Sequence, residues 1–249
     1  MIDKAMYVAM TGASATLRAQ GAVSHNLANA NTVGFQATLA GTVARPVDGD
    51  GHGSRVAAAY RTLGVSDTAG AINATGNVLD VAMDQDRWLA VQTPGGEVAY
   101  TRAGDLKLSQ NGLLTTASGL SVLDQNGAPI AIPPHESLLI GNDGTISVVP
   151  LGQPANTMAE VGRLQIAAAR TLDLERGEDG LMRLPPGAEP LPPAAGVVLT
   201  SGALEQSNVD STSMLVSMIQ LSRQFEMQVR VLQSGDDNAK ASNSLLSAR

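Results

Sequence analysis

The sequence contains no cysteine in its 249 residues, and aromatic side chains make up only 2% of it. The lack of cysteine excludes a disulfide framework and any chemistry that needs a thiolate. A single compact enzyme core of this length would normally contain more aromatic side chains, because these dominate the buried area of such cores. No run of about 18 apolar residues occurs, so we expect no transmembrane helix.

Basic side chains are also few, and 16 Lys and Arg against 23 Asp and Glu give a formal net charge of −7. They form no basic run and no patch interleaved with aromatic residues, so we expect no nucleic-acid partner. The N-terminal segment lacks the apolar core of a secretory signal. We therefore expect the chain to remain in the cytoplasm or to leave it by a route that needs no cleaved signal.

Residues that could catalyse a reaction or bind a metal are sparse. The candidates are the histidines His25, His52 and His135 and the acidic cluster Asp80, Asp84 and Asp86. The histidines lack the spacing of metal ligands, and the acidic cluster lacks the oxygen pattern of a calcium-binding loop. Nucleotide-binding and nucleophile-elbow motifs are absent from the sequence. We expect no catalytic residue, no cofactor, no metal and no small-molecule substrate.

The C-terminal region has apolar residues at alternating steps of three and four. The series is Leu215, Met218, Ser222, Phe225, Val229, Leu232, Asp236, Ala239, Asn243 and Leu246. This spacing is that of a heptad seam, and its polar members are typical of positions that fix register and partner. Gly235 should cost about 1 kcal/mol relative to alanine in a helix interior, so the sequence does not establish whether the helix continues beyond Ser234.

A second seam occurs at the other end of the chain. It consists of Met6, Met10, Ala13, Leu17, Gln20, Ser24, Leu27 and Asn31. A lone stripe of this kind more often marks a terminal helix packed on its own domain. Two matching stripes favour a helical hairpin, and we assign its assembly seam to Met10, Leu17, Leu27, Leu215, Met218, Phe225, Val229 and Leu232.

The middle of the chain has short apolar runs separated by turn dipeptides, and we predict strands at these runs, including residues 130–132 and 163–168. Asn111-Gly112, Asn126-Gly127 and Asp143-Gly144 favour the tight turns of β-hairpins. The predicted fold class is α+β, in which N- and C-terminal helices form a coiled-coil hairpin with an inserted, mainly antiparallel all-β domain. The predicted divisions are an N-terminal helix and signature (1–35), an extended linker arm (36–79), a β domain (80–200) and a C-terminal helix (201–249).

Four segments of the sequence resemble motifs of one known family, and they occur in the same order as in that family. Residues 26–35 resemble the N-terminal signature of bacterial flagellar rod and hook proteins, written NNLAN-x-x-T-x-GF, although His25 stands where Asn is frequent. Residues 75–83 resemble the family's TGN-x-LD-x-A-I segment, residues 100–104 its YTR-x-G segment, and residues 202–209 its G-x-LE-x-SNV segment.

The positions that carry this resemblance can be assigned one by one. They are Asn26, Leu27, Asn29, Thr32, Gly34, Phe35, Thr75, Gly76, Leu79, Asp80, Tyr100, Thr101, Arg102, Ser207, Asn208 and Val209. Residues 84–89 depart from the Gly-x-Gly-Phe-Phe of distal-rod and hook members. Residues 84–89 are similar to the corresponding residues of a proximal-rod member of the family. The same is true of residues 45–49 and of the chain length.

The resemblance implies a structural subunit of the proximal rod in the flagellar basal body. Such a subunit would polymerise with itself and with other rod proteins, transmit motor torque for motility, and be exported by the flagellum's own apparatus into the periplasm. A distal-rod subunit is the first alternative. A secreted β-domain binding module or adhesin with coiled-coil arms is the second, and the ordered signatures near both ends count against it.

Overall fold

The computed structural model of the chain describes residues 2–46, 56–154 and 157–247. His52 and the sequence similarity at residues 47–49 lie outside these ranges. The described residues form two α-helices, one short 3₁₀ turn and seventeen strands. Among them, no helix is both long enough and apolar enough to cross a membrane.

The elements are as follows in chain order. The first half contains α1 (Ile2–Ala28), β1 (Thr38–Pro46), β2 (Val56–Val65), β3 (Ile72–Ala74), β4 (Val81–Met83), β5 (Arg87–Gln92), β6 (Val98–Thr101), β7 (Leu106–Leu108), β8 (Leu114–Thr116) and β9 (Ser121–Val122). The second half contains β10 (His135–Ile140), β11 (Thr145–Pro150), β12 (Ala159–Arg163), β13 (Ile166–Ala168), the 3₁₀ turn (Thr171–Asp173), β14 (Glu175–Arg176), β15 (Met182–Arg183), β16 (Leu199–Ser201), β17 (Ala203–Glu205) and α2 (Ser211–Ser247).

The chain divides into two compact units, and the first is built from its two ends. This helical unit comprises Met1–Asn29, Thr38–Gly64 and Val209–Arg249. Within it α1 packs against α2 and β1, and β1 pairs with β2. The stretch predicted as an extended arm therefore contributes a pair of strands to this unit. Because the residues of β1 and β2 are mainly small, their sequence shows no clear alternation.

The long helix α2 begins directly after Asp210, whose carboxylate caps its first turn. Asp210 Oδ1 accepts from the Thr212 N–H at 3.0 Å, and Oδ2 accepts from the Ser213 hydroxyl. These bonds hold the pKa of Asp210 below its usual value, the Ser213 bond being the largest cause. An acceptor at this position satisfies N–H groups that have no partner inside the helix. Helix continuity past Gly235, which the sequence leaves open, is established by the structure, since α2 continues without interruption to Ser247.

The second unit, the β unit, comprises Ala30–Ala37 and Val65–Asn208. Its largest sheet has the order β14-β15-β6-β5-β9-β8-β7, with β13 also paired to β5. A three-stranded sheet has the order β10-β11-β12, while β16 pairs with β4 and β17 with β3. All of these strand pairings are antiparallel, as the sequence predicts.

Two predicted strands of the β unit differ from the structure. The run at residues 130–132 makes only an isolated bridge, from Ala131 to Leu113, and the preceding Pro129 makes another to Leu123. Proline lacks the N–H that a continuous ladder needs, which explains why pairing is interrupted at Pro129. The run predicted from Arg163 to Ala168 is divided between β12 and β13, and Leu164 bridges Asp124 between them.

Strand β5 is the centre of the β unit because its side chains pack on both faces. Leu89 and Val91 belong to one apolar cluster, whereas Trp88 and Ala90 belong to another. Successive side chains of a strand point to opposite faces, so β5 contributes to both clusters. Trp88 is a core residue, since its side chain is 3% exposed and its indole N–H donates to the Ala169 carbonyl at 3.0 Å.

Trp88 is the single tryptophan of the chain and therefore reports on the β unit alone. We expect the fluorescence of the native protein to be blue-shifted from that of free tryptophan, because the indole is buried. On unfolding in urea the emission should move to the red, and Trp88→Phe should abolish the signal. A native emission maximum like that of tryptophan in water would contradict this placement.

Candidate functional site

Residues 34–37, 100–104 and 205–208, which overlap three of the family-like segments, come together in the β unit, at what we call the signature junction. Gly34 is at its centre, with a φ of +67°. Its N–H donates to the Glu205 carbonyl at 2.8 Å. A Cβ at this position would lie 2.3 Å from the carbonyl carbon and oxygen of Arg102. Glycine is thus required both by the left-handed backbone and by the close approach of another chain segment.

Arg102 and Glu205 form a buried ion pair in the signature junction. Arg102 Nε and Nη2 lie 2.7 and 2.6 Å from Glu205 Oε2, and the two side chains are 3% and 2% exposed. The remaining Arg102 N–H groups donate to the carbonyls of Met83, Asp84 and Arg87 at 3.0 to 3.1 Å. These contacts occupy all five donors of the guanidinium, which is the condition under which a buried charge is stable.

Glu205 also joins a fourth segment to the signature junction. Its Oε1 accepts from the Gly70 N–H at 3.0 Å, and a Cβ at Gly70 would lie 1.8 Å from the Gln206 carbonyl oxygen. Gly104 is similarly close to the backbone, since a Cβ there would lie 1.7 Å from the Val81 carbonyl oxygen. Both glycines therefore allow two chain segments to lie in direct backbone contact.

Asn208 connects the two signature ends through backbone groups. Its backbone N–H donates to the Phe35 carbonyl at 3.2 Å, and its side-chain oxygen accepts from the Ala37 N–H at 2.7 Å. Its side-chain amide donates to the Thr68 carbonyl at 2.7 Å. One asparagine thus supplies both a donor and an acceptor to segments that have no regular sheet partner there.

Arg176 packs over the N-terminal part of the signature junction. Its guanidinium carbon lies 4.8 Å from the centre of the Phe35 ring, and its Nη2 donates to the Gln36 carbonyl at 2.7 Å. Burial lowers the pKa of Arg176, although arginine remains charged in proteins. A small cavity of about 100 Å³ beside these residues is also lined by Trp88 and Tyr100.

Thr75, Asn77 and Asp80 form a second polar group of the signature. The Thr75 hydroxyl donates to Asp80 Oδ2 at 2.7 Å, and the Asn77 side-chain amide donates to Oδ1 at 2.8 Å. The Asp80 carbonyl accepts from the Gly202 N–H at 2.8 Å. Asp105 bridges Asp80 in the backbone, and burial, with a smaller contribution from the Asp80 charge, raises the pKa of Asp105.

The remaining signature residues occupy different places. Gly76 has a φ of +74° in open space, Leu79 packs against the larger apolar cluster, Tyr100 is buried, and the Thr101 hydroxyl accepts from the Ala103 N–H at 3.0 Å. Burial raises the pKa of Tyr100. Thr32 is exposed and Ser207 is half-buried. Asn26, Leu27, Asn29 and Val209 belong to the helical unit.

Asn26 has a distinct role in the helical unit. Its side chain is 4% exposed and makes two bonds to Thr38, donating to the carbonyl at 2.9 Å and accepting from the N–H at 2.9 Å. The amide of Asn26 thus pairs with the first residue of β1 as a neighbouring strand would. Asn29 donates from its side chain to the His25 carbonyl at 2.9 Å, at the end of α1.

The residues assigned to the assembly seam separate into two groups. Leu27, Met218, Phe225, Val229 and Leu232 are half-buried in the helical unit. By contrast, Met10, Leu17 and Leu215 are 55%, 51% and 49% exposed. These three are not needed to pack the helices of one chain, so their apolar side chains are available on its surface.

The acidic cluster and the histidines do not form a metal site within the described ranges. Three or more His, Asp or Glu side chains are nowhere arranged there to hold an ion. The Asp80 carboxylate is bound by Thr75 and Asn77, whereas the Asp84 contact to Arg102 uses its backbone carbonyl. The His135 ring nitrogen lies 2.9 Å from the Pro133 carbonyl.

Sequence reasoning did not select Glu205, Gly70, Gly104, Gln36 or Arg176 as site residues. Glu205 and Gly104 lie inside the family-like segments, so the search for a partner to Arg102 could have found the glutamate. Arg176 is remote from every such segment, and no local pattern marks it. The groups of the signature junction mainly bind one another, so the arrangement is suited to holding chain segments together rather than to transforming a substrate.

Comparisons with known proteins match the same parts of the chain. Residues 6–36 match the family model described as flagella basal body rod protein. Residues 82–148 match the flagellar hook protein FlgE/F/G D1 domain, and residues 200–245 match the flagellar basal body rod FlgEFG protein C-terminal region.

Full-length relatives agree with these matches. The chain is 42% identical to the flagellar basal-body rod protein FlgF of Escherichia coli K12 over 253 residues, which cover 99% of each chain. It is 40% identical to FlgF of Salmonella typhimurium LT2, also with 99% of each chain covered. FlgG of Bacillus subtilis 168 is 32% identical, with 86% of this chain and 88% of FlgG covered. The chain therefore belongs to the flagellar basal-body rod protein family, within which it is most like FlgF.

Proposed function

We propose that the chain is a structural subunit of the proximal rod in the flagellar basal body. It polymerises with itself and with other rod proteins, and the polymer transmits motor torque for motility. The apolar residues that remain exposed on α1 and α2 carry this proposal, because they provide a surface for neighbouring subunits. The similarity to FlgF over almost the whole chain supports the same function.

The exposed apolar residues of the two helices occur in groups at helical spacing. Tyr7, Met10 and Leu17 are spaced by three and seven residues on α1 and are each about half exposed. On α2 the exposed apolar residues form two pairs that are each four residues apart, Leu215 with Ile219 and Met227 with Val231. Residues three, four or seven apart lie on one side of a helix. Covering a leucine or isoleucine stabilises by about 1.5–3 kcal/mol, so several such contacts favour polymerisation.

In this proposal α1 and α2 form a coiled-coil hairpin in the inner layer of the rod. The contacts between subunits are heterologous, because a helical polymer presents different surfaces to successive neighbours. The chain reaches the periplasm through the flagellar export apparatus without a cleaved signal. It acts as a structural protein and catalyses no reaction.

The direct test is a strain that lacks this gene. We expect its cells to be non-motile, with basal bodies that end in an incomplete rod, and expect the wild-type chain to restore both. Motile deletion cells with complete rods would contradict the proposal. A distal-rod subunit is the second candidate, since FlgG is also similar, but its identity is lower. Basal bodies of the deletion strain that retain the full proximal rod would favour that alternative.

Replacing an exposed helix residue tests the surface itself. We expect Leu17→Asp and Leu215→Asp to abolish swimming while leaving the unfolding of the purified monomer unchanged. Burying the new carboxylate against a neighbouring subunit, without a partner, would cost several kcal/mol. Motility and the urea unfolding of the monomer are the two measurements.

The matched control for these variants is Leu172→Asp. Leu172 is an exposed apolar residue of the β unit, at 73% exposure. We expect this variant to swim normally and to unfold as the parent does. Wild-type swimming by both helix variants would show that this surface is not used in assembly.

A further inference from the structure

The contact between α1 and α2 contains a buried polar group. The Thr16 hydroxyl lies 2.9 Å from the Gly12 carbonyl and 3.1 Å from Gln228 Oε1, so its proton is shared between two acceptors. Thr16 is 4% exposed. The Gln228 amide also lies directly over Gly12, because a Cβ at Gly12 would be 3.0 Å from Gln228 Nε2. Gly12, Thr16 and Gln228 therefore form one polar contact inside the helix pair.

A second close approach occurs farther along the same two helices. A Cβ at Gly235 would lie 3.1 Å from Cγ and 3.4 Å from Sδ of Met6. Gln228 contacts α1 near residues 12 and 16, whereas Gly235 contacts it at residue 6, so the helices are antiparallel. Gln228 and Gly235 are seven residues apart and therefore lie on one seam of α2.

This seam differs from the one that the apolar pattern predicts. Both seams share Met218, Phe225, Leu232 and Ala239. Between these shared positions, the predicted seam has Leu215, Ser222, Val229 and Asp236, and the observed seam has Met214, Leu221, Gln228 and Gly235. All four residues of the observed seam are half-buried, whereas Leu215 and Asp236 of the predicted seam are exposed. The two seams are related by a rotation of α2 about its own axis. They contain similar numbers of apolar residues, so hydrophobic burial alone does not select one of them.

We propose that the Gly12–Thr16–Gln228 contact selects the rotation and register of α2 on α1. Thr16 is buried and Gln228 is half-buried, so a polar group that loses its partner in this contact costs more than the bond itself contributes, since its desolvation is then not fully compensated. A shift of α2 by one turn would move Gln228 away from Thr16 and place another side chain against Gly12. Single polar contacts fix register in helix pairs in this way.

The selected rotation determines which apolar residues stay outside the helix pair. It leaves Leu215 and Ile219 on the surface, at 49% and 55% exposure. Under the proposed function, this is the surface that neighbouring rod subunits cover. That consequence rests on the proposed function, but the selection of register is a property of the single chain and is tested on it.

The absence of native cysteine allows disulfides to report the register. Met6→Cys with Gly235→Cys reports the observed register, because the Gly235 Cβ position lies next to the Met6 side chain. Met6→Cys with Ala239→Cys reports a shift of one turn, since residue 239 is half-buried on the same side of α2 about 6 Å farther along. Purified full-length protein is mildly oxidised, and the initial rate of cross-linking is measured for each pair.

In the parent background we expect the Met6–Gly235 cysteine pair to cross-link at least about tenfold faster than the Met6–Ala239 pair. We expect Thr16→Val or Gln228→Leu to bring the two cross-linking rates within about twofold of each other. Thr16→Ser is the matched control, because it keeps the hydroxyl and should keep the tenfold preference. Thr16→Val with Gln228→Leu removes both polar groups, so it should remain helical by circular dichroism while losing the preference.

Three results would overturn the proposal. The first is an equal cross-linking rate for the two pairs in the parent background. The second is an unchanged preference in both Thr16→Val and Gln228→Leu. The third is loss of helix in the double variant, which would show that the polar contact supports helix formation rather than register. None of these measurements requires a flagellum, so they are independent of the outcome of the motility experiments.

Discussion

Replacing Glu205 with alanine is expected to lower the free energy of unfolding of the β unit by about 3–5 kcal/mol, because it leaves the Arg102 charge buried without a partner. Arg102 is 3% exposed, so water cannot replace the lost carboxylate without opening the signature junction. The Gly70 N–H also loses its acceptor. Urea unfolding followed by Trp88 fluorescence measures the change, since Trp88 lies in the same unit.

An exposed ion pair of the β unit provides the control for Glu205→Ala. Arg183 and Asp179 lie 2.6 Å apart, with side chains that are 30% and 44% exposed. We expect Asp179→Ala to cost less than about 1 kcal/mol, because water solvates the remaining charge. If Glu205→Ala and Asp179→Ala shift the unfolding midpoint equally, the buried pair does not stabilise the β unit as described.

Removing both buried charges should restore only part of the lost stability. Arg102→Met with Glu205→Leu leaves no unpaired charge, and such apolar replacements can be close to neutral. However, the carbonyls of Met83, Asp84 and Arg87 would lose the donor that they share. We therefore expect the double variant to be more stable than Glu205→Ala but less stable than the parent.

The variant Gly34→Ala is expected to disrupt the signature junction with a loss of more than about 3 kcal/mol. A left-handed conformation costs a residue with a Cβ about 1–2 kcal/mol. The added methyl would also lie 2.3 Å from the Arg102 carbonyl group, and overpacking of this kind adds about 1–3 kcal/mol. Urea unfolding of the purified chain and motility of the complemented deletion strain are the measurements, and we expect swimming to be lost.

Gly76→Ala separates the effect of conformation from that of crowding. Gly76 has nearly the same φ, +74° against +67° for Gly34, and no atom lies within 4 Å of its Cβ position. We expect a loss of about 1–2 kcal/mol, from the backbone conformation alone. Equal losses at Gly34 and Gly76 would show that the approach of Arg102 is not a significant constraint.

The sequence predicted the terminal helices because they depend on local patterns. The α2 positions Met218, Phe225, Leu232 and Ala239 are common to the predicted and observed seams. The rotation of α2 was not predicted, because two seams of similar apolar content overlap. The choice between them depends on Thr16 and Gln228, which are 212 residues apart and have no recognisable relation in the sequence.

The candidate site was predicted in its members but not in its arrangement. Family-like residues such as Gly34 and Arg102 were identified, yet only the fold brings them together. Residues 30–35 were assigned to the N-terminal helix and signature and residues 36–37 to a linker arm, whereas residues 30–37 belong to the β unit. That assignment depends on bonds such as the one from the Ala37 N–H to Asn208, across 171 residues, which no local pattern contains.

The distance along the chain between Ala37 and Asn208 also sets the order in which the β unit can be completed. A chain that emerges from a ribosome or a channel with its N-terminus first presents Gly34 and Phe35 long before Glu205 and Asn208 exist as partners. Arg102 likewise has no ion-pair partner until Glu205 is present, 103 residues later in the chain. Contacts between such distant residues form late in folding, because a long loop must close first. A chain that ends before Glu205 therefore cannot close the signature junction. The β unit is completed only when all of the residues up to Glu205 and Asn208 are present.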